Sequence, residues 1–308
     1  MLMLLLMTML ASPASDSLEA FKAPYPAPVD TVLVGDRPIA YHEAGTGEET
    51  VVLIHGLGSN LALWRETIDP LADHFRVLAL DLPGYGLSGK DEVPGTMDFF
   101  SDTVVQFMNA HGVDRAHVVG LSMGGQIALT VALDHPERLD RLVLVSPAGI
   151  ETFTDQQGVA LKSVYTPQAI LAAPEAALQQ NIAMNFASYD PERFGWLLEQ
   201  RLALTALPDA AAYATANARS VAGMLDAPVA HRLDDIAAPT LVLYGAEDAL
   251  IPNAMLNPHL TTADVAEEAA ERIPNATLDL IKDAGHLPQL EQPEVVNQHL
   301  MTFLRRER

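Results

Sequence analysis

His117-Val118-Val119-Gly120-Leu121-Ser122-Met123-Gly124-Gly125 is the stretch that decides the fold. Its first half is a short, mostly apolar run with β-branched valines, the pattern of a strand covered on both faces. From Gly125 to Leu133 the spacing turns helical. Between them, Gly120-Leu121-Ser122-Met123-Gly124 has the form of a tight turn that lifts a serine hydroxyl off the end of a sheet. Side chains at 120 and 124 would collide with neighbouring backbone in such a turn, and glycine removes the clash. The letters alone recur by chance in roughly one chain in ten of this length. The strand-turn-helix setting is what makes them specific.

Outward from this point, apolar runs at Val51 to Ile54, Val77 to Leu80, Leu142 to Val145, Thr240 to Tyr244 and Thr277 to Ile281 alternate with segments of helical spacing. That alternation predicts an α/β protein with a parallel sheet covered by helices on both sides. Near the start, Thr31 to Val34 and Arg37 to His42 flank Gly35-Asp36 and read as a hairpin, with Pro38 placing the second strand at an edge. From about Gly149 to Ala238 no strand pattern occurs, and Pro167, Pro174, Pro191 and Pro208 divide an Ala- and Leu-rich stretch into short helices. The expected organisation is an N-terminal apolar segment and linker over 1–28, a core over 29–148, a helical insertion over 149–238 and a second core segment over 239–308. Of Phe153, Tyr165, Met184, Phe186, Phe194, Trp196, Tyr213 and Met224 in the insertion, helix packing accounts for most.

A serine hydroxyl is a weak nucleophile at neutral pH and needs a base, which in turn needs an orienting group. Among ten histidines, His286 sits in a Gly-His turn directly after the last predicted strand, on the same sheet edge as Ser122. His55 is read as a structural partner of its own loop. Asp248, in Leu243-Tyr244-Gly245-Ala246-Glu247-Asp248, follows a strand end and precedes the histidine in chain order, with Glu247 as its nearest competitor. Two backbone N–H groups can serve a developing oxyanion. One is that of Met123, at a helix start; the other is that of Leu57, in the glycine-rich turn His55-Gly56-Leu57-Gly58.

With His55-Gly56-Leu57-Gly58, Asp81-Leu82-Pro83-Gly84-Tyr85-Gly86-Leu87-Ser88, Gly120-Leu121-Ser122-Met123-Gly124-Gly125, Gly245-Ala246-Glu247-Asp248 and Ala284-Gly285-His286 in this order, the chain resembles the α/β-hydrolase superfamily from about Val29 to Arg308. The resemblance implies an α/β-hydrolase fold: a mostly parallel eight-stranded sheet with a helical cap at about 149–238, and oxyanion donors at Leu57 and Met123. Ser122-Met123-Gly124-Gly125 and Ser146-Pro147-Ala148-Gly149 look most like the esterase and monoacylglycerol-lipase branch. Epoxide- and halide-processing relatives carry aspartate where this chain has Ser122. Serine relatives that cleave carbon-carbon bonds, and perhydrolases, share the triad; the former more often continue His-Gly with a Gly-Pro-Gly type turn, unlike Leu57-Gly58-Ser59-Asn60. The expectation is an esterase using Ser122, His286 and Asp248 on a small uncharged ester, with no cofactor and no metal. A non-catalytic ligand-binding protein is the reading from another class.

Composition narrows the partners. The 308 residues are 49% hydrophobic and carry a formal charge of -22, with lysine only at Lys22, Lys90, Lys162 and Lys282. Such a field repels phosphate backbones and anionic lipid, so nucleic acid is an unfavourable partner and neutral or cationic small molecules fit better. With no cysteine, thiolate nucleophiles and Cys-ligated zinc are excluded. Met1 to Ala11 is an apolar run followed by Ser12-Pro13-Ala14-Ser15, which reads as a secretory signal and predicts export. It is too short to span a bilayer. No Lys or Arg precedes it, and the alternative is the N-terminal segment of a cytoplasmic enzyme.

Overall fold

The computed structural model describes residues 13–305, so the signal reading of Met1 to Ala11 lies outside the described residues. Eight strands form one sheet: β1 (Asp30–Val34), β2 (Arg37–Ala44), β3 (Thr50–Ile54), β4 (Arg76–Leu80), β5 (Ala116–Leu121), β6 (Leu139–Val145), β7 (Thr240–Gly245) and β8 (Ala276–Ile281). Their order is β1-β2-β4-β3-β5-β6-β7-β8. β2 runs antiparallel to β1 and β4, and the remaining pairs are parallel. All eight strands fall where the apolar runs predict them.

The edge reading of Pro38 needs correction. β2 lies inside the sheet, between β1 and β4. Its pairing with β4 begins only at Tyr41, however, while Pro38 faces Leu33 of β1. The missing N–H therefore points to a side with no ladder, and the strand is an edge only over Arg37 to Ala40.

The helices are α1 (Pro13–Lys22), α2 (Arg65–Ala72), α3 (Met97–Ala110), α4 (Met123–Asp134), α5 (Asp155–Val164), α6 (Pro167–Ala172), α7 (Glu175–Ala183), α8 (Pro191–Phe194), α9 (Trp196–Thr205), α10 (Ala210–Asp226), α11 (Thr262–Arg272), α12 (Pro288–Glu291) and α13 (Pro293–Leu304). Strand alternation sorts the core into two layers. Val52, Ile54, Leu78, Leu80, Val118 and Leu144 pack with Phe100 of α3, Ile127 of α4 and Val265 of α11. Val51, Leu53, Val77, Val119, Val143 and Leu243 pack with Ile68 of α2 and Leu300 of α13. Six helices, α5 to α10, occupy the chain between β6 and β7. Pro167 and Pro191 each open a helix and Pro174 caps one, where a missing N–H costs nothing. The helix α1 has no counterpart in the sequence reading, yet its Phe21 is buried in the core.

Loops after β3 and β4 are locked by two buried titratable groups. His55 is fully buried and lies edge-on to Tyr85. Its Nδ1 pairs with the Gly56 carbonyl at 2.8 Å and its Nε2 with the Leu82 N–H at 3.0 Å, which fixes a neutral ring donating from Nδ1 and accepting at Nε2. This is the structural role expected of it. Asp81 accepts from the N–H groups of Leu61 and Leu87, both at 2.7 Å, and from the Tyr25 hydroxyl at 2.9 Å.

Two predictions come from this packing. A Cβ at Gly120 would lie 2.2 Å from the Gly124 carbonyl oxygen, backbone against backbone. Gly120→Ala should cost more than about 3 kcal/mol, read as a lower urea midpoint or loss of soluble protein.

The second concerns pH. Burial lowers the His55 imidazole from 6.5 to about 4. Burial likewise raises the Asp81 carboxyl from 3.8 to about 6, against the pull of its hydrogen bonds and of Lys90. Between about pH 4 and 6.5 the unfolded chain binds a proton at His55 that the folded one does not, so that contribution rises with pH. At Asp81 the folded state keeps a proton that the unfolded chain has lost, so that contribution falls as pH rises from 3.8 to about 6. Each is worth about 3 kcal/mol, and they oppose one another. Asp81→Asn should remove the falling contribution, giving a urea midpoint that climbs with pH across this window more steeply than in the parent. A variant profile identical to the parent's would contradict the raised Asp81 carboxyl, and one that fails to climb with pH would contradict the neutral buried His55.

Candidate active site

Ser122 lies between β5 and α4 at φ 54°, ψ −117°, a left-handed conformation that non-glycine residues adopt rarely. The surrounding chain over-determines it. Its N–H donates to the Val145 carbonyl at 3.0 Å, and its own carbonyl accepts from Gly125, Gln126 and Ala148. A Cβ at Gly124 would meet the Ile54 and His55 carbonyl oxygens at 2.4 and 2.6 Å. One at Gly56 would meet the Ser122 Cβ at 3.1 Å. Both glycines of the motif are therefore required by close backbone approach, as the sequence predicts.

The other sequence candidates gather at the same sheet edge. His286 and Asp248 are buried, and Nδ1 of the ring lies 2.8 Å from Asp248 Oδ2. The remaining carboxylate oxygen accepts from the N–H groups of Leu250 at 2.8 Å and Ile251 at 3.1 Å. Both oxygens are thus occupied, and the carboxylate is held in one orientation. Glu247 has different work: it accepts from the Ala284 N–H at 3.0 Å and pins the loop that leads to His286.

Leu57 follows β3 and Met123 opens α4. Their strands are neighbours, and connections leave β3 and β5 in opposite directions, the switch point at which open α/β sheets form crevices. Neither N–H donates to an acceptor among the described residues. Helices α9 and α10 grip the Leu57 loop from above. Arg201 donates from one nitrogen to the Gly58 carbonyl and from the other, at 2.6 Å, to the Tyr213 hydroxyl, which itself donates to that carbonyl at 3.2 Å. Asn60 donates to Gln200 at 2.9 Å, and Gln200 donates to the Phe21 carbonyl of α1 at 2.8 Å.

Two cavities meet at this edge. One of about 280 Å³ is bounded by the Leu57 loop, α7 and α9, with Arg201, Gln200, Asn60 and Asn181 among its polar walls. The second, of about 260 Å³, is bounded by Phe153, Leu161, Val221, Met224 and Ile251, with Gln126 and Glu151 among its polar groups. Only Leu57, Ser122, Leu250 and His286 line both, so the candidate residues form the waist between two chambers. Of the eight aromatic and Met residues singled out in the helical segment, Phe153, Tyr165 and Met224 line the second chamber and Tyr213 the first. Phe186 and Phe194 instead stack on each other, with ring centres 4.2 Å apart. Among the described residues no helix is long and apolar enough to cross a membrane, and no group of three or more His, Cys, Asp or Glu could hold a metal ion.

Sequence reasoning missed Glu151, Gln126, Gln200, Arg201 and Leu250. The first four act through partners 98 to 179 positions away, Arg201 also through Tyr213 at 12, or as lone polar residues in apolar walls, and no local spacing announces them. Leu250 was within reach, since it lies one turn from Asp248.

Residues 49–293 match the family described as alpha/beta hydrolase fold. The chain is 31% identical over 301 residues to the dihydrolipoyllysine-residue acetyltransferase component of the acetoin cleaving system of Cupriavidus necator, covering 93% of this chain and 75% of that protein. It is 29% identical over 280 residues to a 2-hydroxy-6-oxononadienedioate/2-hydroxy-6-oxononatrienedioate hydrolase of Burkholderia vietnamiensis, covering 87% of this chain and 91% of that one. Among solved structures, a probable hydrolytic enzyme from Pseudomonas aeruginosa superposes with a TM-score of 0.81 at 28% identity, covering 92% of this chain and 95% of that chain. With the sheet order and the elbow geometry, these likenesses establish that the chain belongs to the alpha/beta hydrolase fold family.

Proposed function

We propose that this protein is a serine hydrolase of carboxylic esters, with Ser122 as nucleophile, His286 as base and Asp248 as orienting acid. The observation that carries the reading is the buried 2.8 Å contact between Asp248 and His286 Nδ1 at the rim of the two chambers that Ser122 divides. With Nδ1–H committed to the carboxylate, Nε2 is the nitrogen left to take the serine proton. The Ser122 oxygen attacks the ester carbonyl, and the N–H groups of Leu57 and Met123 receive the negative oxygen that forms. The imidazolium returns its proton to the departing alcohol, leaving an acyl-serine. Water, deprotonated by the same nitrogen, then releases the acid and restores the hydroxyl. Segment 149–238 is read as the cap that closes both chambers and shapes the substrate.

The likeness to a dienedioate hydrolase supports a second reading, in which the same serine chemistry cleaves a carbon-carbon bond next to a ketone. Arg201 favours it locally, being a guanidinium on the wall of the first chamber with no carboxylate partner among the described residues. A diacid could use that charge. The overall charge of -22 opposes it.

Ser122→Ala should abolish turnover of p-nitrophenyl esters and labelling by a fluorophosphonate while leaving the melting profile intact; more than a few per cent of residual activity in pure protein rules the nucleophile out. Asp248→Asn should lower kcat by about three orders of magnitude or more through the wrong histidine tautomer. Glu247→Gln keeps an acceptor for Ala284 and should be mild, and the reverse ranking would move the orienting role to Glu247.

The apolar second chamber predicts a chain-length preference. kcat/KM should rise from acetate to butyrate or hexanoate esters, by up to about tenfold per well-buried pair of methylenes. The same panel includes a vinylogous diketone diacid. Faster turnover of that compound than of any ester would select the carbon-carbon reading.

A further inference from the structure

The second chamber contains polar groups that the ester mechanism does not use. Glu151 is 9% exposed, in the loop after β6. Its Oε1 accepts from the Asn253 N–H at 2.9 Å and from Asn257 Nδ2 at 2.7 Å. Its Oε2 has no hydrogen bond among the described residues, and no Lys or Arg pairs with the carboxylate. Burial raises its carboxyl, the bonds from Asn257 and Asn253 oppose that, and Asp248 adds to it. An unpaired carboxylate in an apolar wall is costly unless something in the chamber compensates it.

Gln126 is a second and independent observation. It is fully buried on α4, four residues after Ser122. Its Nε2 donates to the carbonyls of Met224 at 3.0 Å and Ala227 at 2.8 Å. Because both partners are acceptors, the amide orientation is fixed and the other terminal atom must be the oxygen. That Oε1 is buried and has no partner. A buried amide oxygen with no donor is a rare condition that a ligand can relieve.

Glu151 and Gln126 both line one chamber, together with Phe153 and Tyr165. We propose that this chamber is a subsite for an alkylammonium group, in which an apolar chain lies against the walls and its protonated amine donates to Glu151 Oε2 and Gln126 Oε1. A hydroxyl has one O–H and would satisfy only one of the two acceptors and none of the charge, and a carboxylate would meet repulsion from Glu151 and from Asp248 beyond it. The inference rests on the serine reading only for which half of a substrate enters the chamber. It therefore specifies amine-bearing esters as the substrate class.

The test uses ligands that cannot react. Binding of n-hexylammonium, n-hexanol and hexanoate to the full chain is measured by calorimetry at neutral pH and physiological ionic strength, where the general surface field is largely screened. The ammonium should bind about tenfold or more tightly than the alcohol, and hexanoate weakest. Glu151→Gln keeps an oxygen for Asn253 and Asn257 but removes the charge, and should bring the ammonium down to the affinity of the alcohol. Glu294→Gln, an exposed acid on α13, serves as the control and should leave the preference intact. Equal affinities in the parent, or a preference that survives Glu151→Gln, would overturn the subsite.

A crystal soaked with hexylammonium keeps the question answerable should that variant fail to fold. An amine within hydrogen-bond reach of Glu151 supports the assignment, and one seated elsewhere overturns it. Turnover of p-nitrophenyl butyrate by the parent scores the serine reading separately. Ammonium binding without turnover removes that reading alone, and turnover without ammonium preference removes the subsite alone.

Discussion

Everything at the candidate site depends on three backbone segments approaching one another without side chains between them. Ser122 holds a conformation that costs on the order of 1–3 kcal/mol. It persists because Gly120 lies against Gly124, Gly124 against the carbonyls of Ile54 and His55, and Gly56 against Ser122 itself. Those contacts draw the turn after β3 and the turn after β5 together. Beside Ser122, the Leu57 and Met123 N–H groups have no acceptor among the described residues, and Leu57 and Ser122 border both chambers.

The helical segment between β6 and β7 does more than roof the chambers. Arg201 and Tyr213 hold the Gly58 carbonyl, and Gln200 joins Asn60 to α1. Gly58 sits at φ +66°, and a Cβ there would press on Asn217, Arg201 and Tyr213. The peptide that carries the Leu57 N–H is held by His55, whose Nδ1 donates to its Gly56 carbonyl, and the Gly58 carbonyl further along the turn is held by α9 and α10.

The strands were legible because a parallel sheet buried on both faces writes itself as unbroken apolar runs, and Val51 to Ile54 or Leu142 to Val145 admit few other readings. Even β8, a half-exposed edge, followed from its Thr and Leu content and from the Gly-His turn behind it. The positions of Ser122, Asp248 and His286 were legible because each lies in a turn that leaves the end of a strand, Ser122 directly after β5, Asp248 three residues after β7 and His286 five after β8. The helix α1 was not, since Ser12 to Ser15 resembles a processing site when read alone and only the burial of Phe21 reveals a packed helix. Pro38 was half legible: a proline reports a missing hydrogen bond at one residue, not the position of a whole strand. Glu151 and Arg201 were illegible because their meaning lies in what they lack among the described residues, a countercharge, and a sequence does not display absences in space.

The waist geometry has a consequence for selectivity. Because the chambers share only Leu57, Ser122, Leu250 and His286, the proposed attack by Ser122 would place the two halves of a substrate in different surroundings. One half faces amides and a guanidinium, and the other faces apolar walls with the Glu151 carboxylate and the unpartnered Gln126 oxygen. Discrimination on the two sides then arises from separate sets of residues, and substitutions in one chamber should combine additively with those in the other. Leu250 is the exception. Its N–H holds the Asp248 carboxylate while its side chain borders both chambers, so a change of shape there acts on substrate choice and on the orientation of the histidine together.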